Sequence, residues 1–292
     1  MEKIAIIGLG VIGGSFAKAL KVNDYTNYYV MGIDQNEETL IKAKEAGVIT
    51  EGETENHSIL QQADVVIFAL YPDAIKPFIE KNRENFKNGA VLTDTTGVKA
   101  DIINQLLPVI PAKVDFVFGH PMAGRESQGF DFSDPTAFIG ANYIITPIET
   151  NRPESIQKII SLVSSLGFKQ ITQVSPERHD RAIAHTSQLC HVIATTLINS
   201  DDDVENTSKF VGDSYKELTR IANINEKLWS ELMLSNRDAL LENMHNFEEK
   251  WELFKNALLN DDKDTLETFM HEATLRRLTL EKKLTKGEQT MK

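Results

Sequence analysis

Short apolar runs rich in β-branched and aromatic residues recur along the first part of the chain, with helical spacing between them. Ile4 to Ile7 is the first run, too short for a core helix, and Gly8, Gly10 and Gly13 follow it directly. Further runs lie at Tyr28 to Ile33, Val65 to Leu70, Val91 to Asp94, Phe116 to Gly119, Asn142 to Thr146 and Lys169 to Val174. The spacing predicts helices over Gly13 to Lys21, Glu37 to Ala46 with Gly47 closing it, Pro72 to about Phe86, Ala100 to Leu107 and Glu154 to Leu166. Strands that alternate with helices in this way predict an α/β fold built on a doubly wound parallel sheet.

From Pro176 onward the pattern changes. Only Gly212 and Gly287 remain of 16 glycines, and helical periodicity covers Glu177 to Asn199, Asn206 to Ala222, Glu226 to Leu259 and Lys263 to Leu284. An all-helical half therefore follows, and the boundary is expected near Val174, giving domains 1–174 and 175–292. Apolar stripes such as Leu228, Leu232, Leu240 and Met244 read first as intramolecular core. Four long helices laid out singly bury little, so part of the stripe is expected to meet a second subunit, making a homodimer.

The glycines carry the first chemical signal. In Lys3 to Ser15, KIAIIGLGVIGGS, the spacing G-x-G-x-x-G sits between a strand and a helix, the Rossmann-type arrangement for a dinucleotide. The first glycine permits the tight turn, the second lets a pyrophosphate approach the backbone, and the third lets helix pack on strand. Free amides at the helix start then favour an anion. Asp34 ends the second strand about twenty residues further on, where a ribose 2′-hydroxyl takes a carboxylate. Gln35 and Asn36 follow, with no cation for a 2′-phosphate, so NAD is preferred over NADP. Gly8, Gly10, Val11, Ile12, Gly13 and Asp34, with Thr95 at a later strand end, are the expected cofactor residues.

Length and composition narrow the class. The chain has 292 residues, 41% hydrophobic and 25% charged, as in a globular protein of two domains. A net charge of -12 argues against a broad surface for nucleic acid or an anionic membrane. Cys190 is the one cysteine, so no intrachain disulfide or cysteine-built zinc site is possible, and a reducing cytoplasm fits. Cys190 reads as a buried small residue. No secretory leader is expected from the N-terminal pattern, and no apolar stretch approaches the ~20 residues of a membrane span. A short polar tail after Leu284 leaves no appended regulatory domain to expect.

In open α/β sheets ligands gather at the carboxyl ends of the strands. Polar clusters land there at Tyr71 to Asp73, Asp94 to Lys99 and His120 to Glu126. His120, flanked by Gly119 and Pro121, is the acid-base candidate, because histidine titrates near operating pH. The later segment HDRAIAHTSQLCH starts at His179 and puts Asp180, Ala184, Ser187 and His191 on one small and polar helix face. His179, His185 and His191 are six apart and point in different directions, so no metal site is expected. Arg220 either pairs with Glu217 on its own helix or offers a planar charged fork to a substrate carboxylate.

Taken in order, GLGVIGGS, DTTGVK, GHPMAG, HDRAIAHTSQLCH, ELTRIA and WSELMLSNR resemble the prephenate dehydrogenase family of tyrosine biosynthesis, with its arogenate-using relatives, over nearly the whole chain. The resemblance implies NAD-dependent oxidative decarboxylation of prephenate to 4-hydroxyphenylpyruvate, on an NAD-binding domain joined to a helical dimerisation domain. It implies that His120 takes the proton from the ring hydroxyl as hydride leaves the same carbon, and that Arg220 holds a carboxylate. Ser187, His191 and Trp229, with Thr96 and Arg125, are implied to meet the substrate.

Four positions depart from the family pattern. Gly97 stands where serine is frequent, so a hydrogen bond to the ring hydroxyl or nicotinamide is missing or comes from Thr95 or Thr96. Gln188 and Cys190 replace a histidine and a proline, and Glu217 an aspartate. Prephenate and arogenate both remain open, with Arg125 and Glu126 able to serve either. Two rivals are a β-hydroxyacid dehydrogenase, which relies on a lysine in the helical domain, and a non-catalytic NAD sensor.

Overall fold

The computed structural model describes residues 1–22, 28–55, 58–124 and 127–289. Packing divides the chain into two compact units, Met1–Leu240 and Leu241–Lys292.

In the first unit, β1 (Glu2–Ile7), β2 (Tyr28–Ile33), β3 (Glu51–Glu53), β4 (Val65–Phe68), β5 (Val91–Asp94) and β6 (Asp115–Phe116) form a sheet in the order β3-β2-β1-β4-β5-β6. Every pairing in it is parallel. The connections run through α1 (Val11–Val22), α2 (Glu37–Glu45), α3 (Pro72–Lys81) and α4 (Ala100–Leu106). Strand order reverses between β1 and β4, which opens a crevice at their carboxyl ends.

Alternation along β1 explains the layers. Ile4 and Ile6 pack into one core with Phe16, Leu20, Phe138 and Leu162. Ala5 and Ile7 face the opposite core, with Ile75, Ile79 and Leu106. The unbroken apolar run of β4 is buried throughout, as a central parallel strand with two covered faces requires. Helix α3 ends at Lys81, short of Phe86, because Asn82 leaves the helix and its side chain bonds back to the Phe78 carbonyl at 2.9 Å.

The run Phe116 to Gly119 is not one strand. The chain leaves the large sheet after β6 and enters a second one, in which β7 (Phe118–Pro121) pairs antiparallel with β8 (Asn142–Thr146). Helix α5 (Pro153–Ser165) then leads to β9 (Gln170–Gln173), parallel to β8. Asp115 anchors the switch by accepting from Asn151 Nδ2 at 2.6 Å and Arg152 N at 2.9 Å. On the far side, Gly119 N donates to Asp94 Oδ1 at 3.1 Å, and a Cβ on Gly119 would stand 2.1 Å from the Tyr143 hydroxyl. His120 is thereby held at the seam between the two sheets.

The helical part is more broken than its periodicity predicts. The first stretch consists of α6 (Pro176–Ile183), a π turn (Ala184–Gln188) and α7 (Leu189–Asn199). The second holds only the short helices α8 (Val204–Thr207) and α9 (Asp213–Thr219), with extended backbone at Val211 and Gly212 between them. The third breaks at Asn236 into α10 (Glu226–Ser235) and α11 (Arg237–Leu259). Asn236 leaves helical geometry to donate from Nδ2 to the Asp180 carbonyl at 2.9 Å and to Gln188 Oε1 at 2.8 Å. Gln188 in turn donates to the Leu232 carbonyl at 2.9 Å.

The second unit consists of the continuation of α11 and of α12 (Lys263–Gln289). They are joined by a turn with Asp261 in the left-handed region at φ 53°, and Asp262 caps α12 by accepting from Thr265 N at 3.0 Å. Phe254 meets Phe269 edge to face at 5.5 Å. Among the described apolar side chains of this unit only Ala257 is buried, while Trp251, Leu253, Leu258, Met270, Leu275 and Leu278 are exposed. No described helix is long and apolar enough to cross a membrane.

Candidate active site

The glycine loop has the geometry that its spacing predicts. Gly8 adopts φ +86°, and its amide donates to the Ile33 carbonyl at 2.8 Å. A Cβ on Gly13 would stand 1.8 Å from the Gly8 carbonyl oxygen, so only glycine lets α1 pack this closely. A Cβ on Gly10 would meet nothing within 4 Å, which leaves open space where the twelve-residue α1 begins. That opening and the free amides at the helix start fit a dinucleotide pyrophosphate. Asp34 ties the loop to β2, accepting from Leu9 N at 2.7 Å through Oδ2 and from Asn36 N at 2.9 Å through Oδ1. A carboxylate has about four acceptor sites, so a further donor can still be met.

The loop opens into a cleft of about 560 Å³ within the first unit. Gly10, Val11 and Ile12 line it together with Thr95, Thr96, Gly97 and His120 from the strand ends. The helical side contributes Ser187, Gln188 and His191, then Ile221, Leu228, Trp229 and Leu232. Among its described lining residues there is no Lys, Arg, Asp or Glu.

Below the cleft lies a buried polar network. Asp94 and Lys99 are both fully buried, and Lys99 Nζ donates to Asp94 Oδ2 at 2.6 Å, to Thr96 Oγ1 at 2.8 Å and to the Thr96 carbonyl at 3.0 Å. Burial draws Lys99 below the usual lysine range, and Asp94 is the main opposing influence. The Thr96 hydroxyl donates to Asp94, so it is turned into this network. Asp180 accepts from the amides of Lys99 and Ala100, each at 2.8 Å, and so caps α4 from a helix eighty residues away.

His120 adds the titratable group. Its Nδ1 lies 2.9 Å from His179 Nε2, and His179 Nδ1 lies 2.7 Å from Asp180 Oδ1. Burial first, and then His179 and Lys99, hold His120 well below the ordinary histidine value of 6.5. Burial likewise lowers His179, against the Asp180 hydrogen bond that raises it. His191 bonds through Nδ1 to the Ser187 carbonyl at 2.9 Å, and its ring lies against Trp229 with centroids 3.6 Å apart.

The candidates read from the sequence are thus distributed unevenly. His120, Thr95, Thr96, Ser187, His191 and Trp229 share the cleft. Asp180 and Ala184 are buried and lie outside the lining that Ser187 and His191 share; Asp180 is turned to the Lys99 and Ala100 amides, and the π turn shifts the register after it. Arg220 is exposed and outside the described lining, on the turn Arg220–Ala222 whose Ile221 does line the cleft. Arg125 and Glu126 lie outside the described residues. Cys190 is exposed rather than buried, since it falls on the outer side of α7. No cluster able to hold a metal exists among the described residues. The structure adds His179 and Lys99 as neighbours of His120; in the sequence Asp180 follows His179, whereas Lys99 has no adjacent acidic residue to mark it.

Two family descriptions cover this architecture. Residues 16–172 match "Prephenate dehydrogenase, nucleotide-binding domain", and residues 175–272 match "Prephenate dehydrogenase, dimerization domain". The chain belongs to the prephenate dehydrogenase family. The prephenate dehydrogenase of Lactococcus lactis is 30% identical over 290 residues, spanning 96% of this chain and 78% of its own. A solved prephenate dehydrogenase from A. aeolicus, in complex with hydroxyphenyl propionate and NAD+, superposes with a TM-score of 0.87 at 26% identity, over 96% of this chain and 98% of its own. The arogenate dehydrogenase of Synechocystis gives 0.80 at 26% identity, over 95% and 99%.

Gln188 and Gly97 have local explanations. Gln188 bridges α10 and Asn236. Gly97 leaves room beside His120, since a Cβ there would stand 3.8 Å from its Nε2 and 3.4 Å from Leu232 Cδ1.

Proposed function

We propose that the chain is an NAD-dependent prephenate dehydrogenase that converts prephenate to 4-hydroxyphenylpyruvate. The observation that carries this reading is a half-buried histidine, His120, in the same cleft as the open glycine loop. Gly8, Gly10, Val11, Ile12 and Gly13 hold the pyrophosphate, Asp34 the ribose 2′-hydroxyl, and Thr95 the nicotinamide end. Bound NAD supplies the hydride acceptor. His120 takes the proton from the ring hydroxyl as hydride departs from the same carbon, and aromatisation drives loss of carbon dioxide.

Ser187, His191, Trp229 and Thr96 line the substrate side in this reading, and Arg220, with Arg125, supplies the charge that an anionic substrate needs. The absence of a fixed cation among the described lining residues supports a donor from the neighbouring turns. Work divides at Val174: residues 1–174 take the nucleotide and residues 175–292 the substrate and a second subunit. The family matches, which part at the same place, support this division. Exposed apolar side chains along α11 and α12 support a homodimer. The cytoplasm is the compartment of this reading, because a chain with one cysteine draws no stability from disulfides.

Steady-state turnover of prephenate and of arogenate, each with NAD and with NADP, tests the activity. Prephenate with NAD is expected to give the highest kcat/KM. A preference for arogenate moves the assignment to the second substrate of the family, for which the Synechocystis relative speaks. No turnover of either, with oxidation of small β-hydroxyacids instead, overturns it. Light scattering at micromolar concentration is expected to give twice the 32.8 kDa chain mass; a fully active monomer refutes the homodimer.

A further inference from the structure

We propose that His179, held by Asp180, is a positioning residue that fixes the tautomer of His120 and leaves its Nε2 free as the base. This rests on the activity proposed above and names how that site is prepared for it.

Asp180 already accepts from the amides of Lys99 and Ala100, and a carboxylate only accepts, so the 2.7 Å contact to His179 Nδ1 requires a proton on that nitrogen. A neutral His179 ring then has its lone pair on Nε2. The 2.9 Å contact between His179 Nε2 and His120 Nδ1 requires one proton between them, and His120 must provide it. With Nδ1 protonated in the neutral ring, His120 Nε2 carries the lone pair. That nitrogen is on the cleft side, 3.8 Å from where a Cβ on the cleft-lining Gly97 would stand.

The surroundings favour neutral rings. His179 is buried among Asp180 on its own helix and Asp94 and Lys99 from the strand end, and burial outweighs the acidic neighbours in setting its protonation. A charged His179 would carry protons on both nitrogens, turn His120 Nδ1 into an acceptor and put the remaining proton on Nε2, where it blocks proton abstraction. The same logic applies wherever a carboxylate orients a catalytic imidazole through its far nitrogen; here a second imidazole is interposed.

The wild-type chain labelled with 15N-histidine tests the tautomer directly, without substrate. His120, identified by the signal lost in His120→Asn, is expected to show a protonated Nδ1 and an unprotonated Nε2 at neutral pH. His179→Phe keeps a buried ring but offers no acceptor; it is expected to move the His120 proton to Nε2 and to lower kcat by about 10²–10⁴, with KM changed little. His179→Gln presents an amide oxygen to His120 Nδ1 and is expected to restore the tautomer and bring kcat to within about tenfold of wild type.

A wild-type His120 protonated at Nε2, a His179→Phe variant with unchanged tautomer and kcat, or a His179→Gln variant no better than His179→Phe overturns the proposal. Thermal melting of each variant identifies loss of fold, and if His179→Phe does not fold, the wild-type spectrum and His179→Gln still decide. If the wild type turns over neither prephenate nor arogenate, the activity fails while the tautomer measurement stands on its own.

Discussion

The sheet side and the helix side of the cleft are built by different means. On the sheet side, His120, Thr95 and the glycine loop stand at strand ends, and the Asp94–Lys99 pair beneath them is fully buried. On the helix side, Ser187 belongs to a π turn and Ile221 to a short turn, while α8 and α9 bury no residue and α10 only Leu232. Rigid strand ends suit groups that must meet a reacting atom within a fraction of an ångström. Short helices and turns suit contacts that recognise a substrate and adapt to it. Chemistry is therefore expected to fail when the first side, or the His179 ring that supports it, is altered, and recognition when the cleft-lining residues of the second are.

The largest effect should come from His120→Asn, which keeps a polar group but removes the base. We expect kcat to fall by about 10²–10⁴ with little change in KM. Arg220→Ala should show the opposite split, raising KM by about 10- to 100-fold, in line with the ~1.5–3 kcal/mol of a hydrogen bond to a charged group. Arg220→Lys should recover part of it, since an ammonium cannot form the bidentate fork. Steady-state kinetics on both variants checks the contrast; KM alone rising in His120→Asn, with kcat lost in Arg220→Ala, would reverse the assigned roles.

A smaller effect is expected at Asp34. Asp34→Ser should narrow the preference for NAD over NADP by about tenfold, the worth of ~1.4 kcal/mol. It should also lower Tm, because the buried Leu9 amide loses its 2.7 Å partner. Equal kcat/KM with both cofactors in the wild type would contradict the role.

The least conspicuous signature is in pH. With His120 held below 6.5, its neutral form persists into mildly acidic solution, so kcat/KM should stay flat from mildly alkaline pH down to 6.5 and fall only below it. Stability should follow with the same sign. The unfolded chain takes protons on His120 and His179 before the folded one does, so Tm should decline as pH drops below 6.5. A kcat/KM profile already falling above pH 6.5 would contradict this placement of His120.

The two sides also differed in how well they could be read from the sequence. β1, β2, β4 and β5 stood out because central parallel strands are apolar on both faces, and the glycine spacing located the crevice between them. The helix side was legible as helix but not as breaks. The π turn and the interruption at Asn236 depend on Gln188 and Asn236 meeting across 48 residues of chain, which periodicity does not register. His120 meets His179 across 59 residues, and the switch of sheets at Val117 follows from Asp115 and Gly119 finding partners on other elements. Periodicity puts Arg220 in a long helix; its place on a separate short turn follows from the extended backbone at Gly212 and the break after Ala222.

Asp180 has a consequence for how far the molecule can be divided. Its carboxylate supplies the only side-chain cap described at the start of α4, from beyond the point where the two family descriptions part. A fragment cut after Val174 would leave the Lys99 and Ala100 amides bare and His120 without His179. The nucleotide half is not a portable cassette: grafted onto another partner, it would carry its glycine loop intact and arrive with its histidine unsupported.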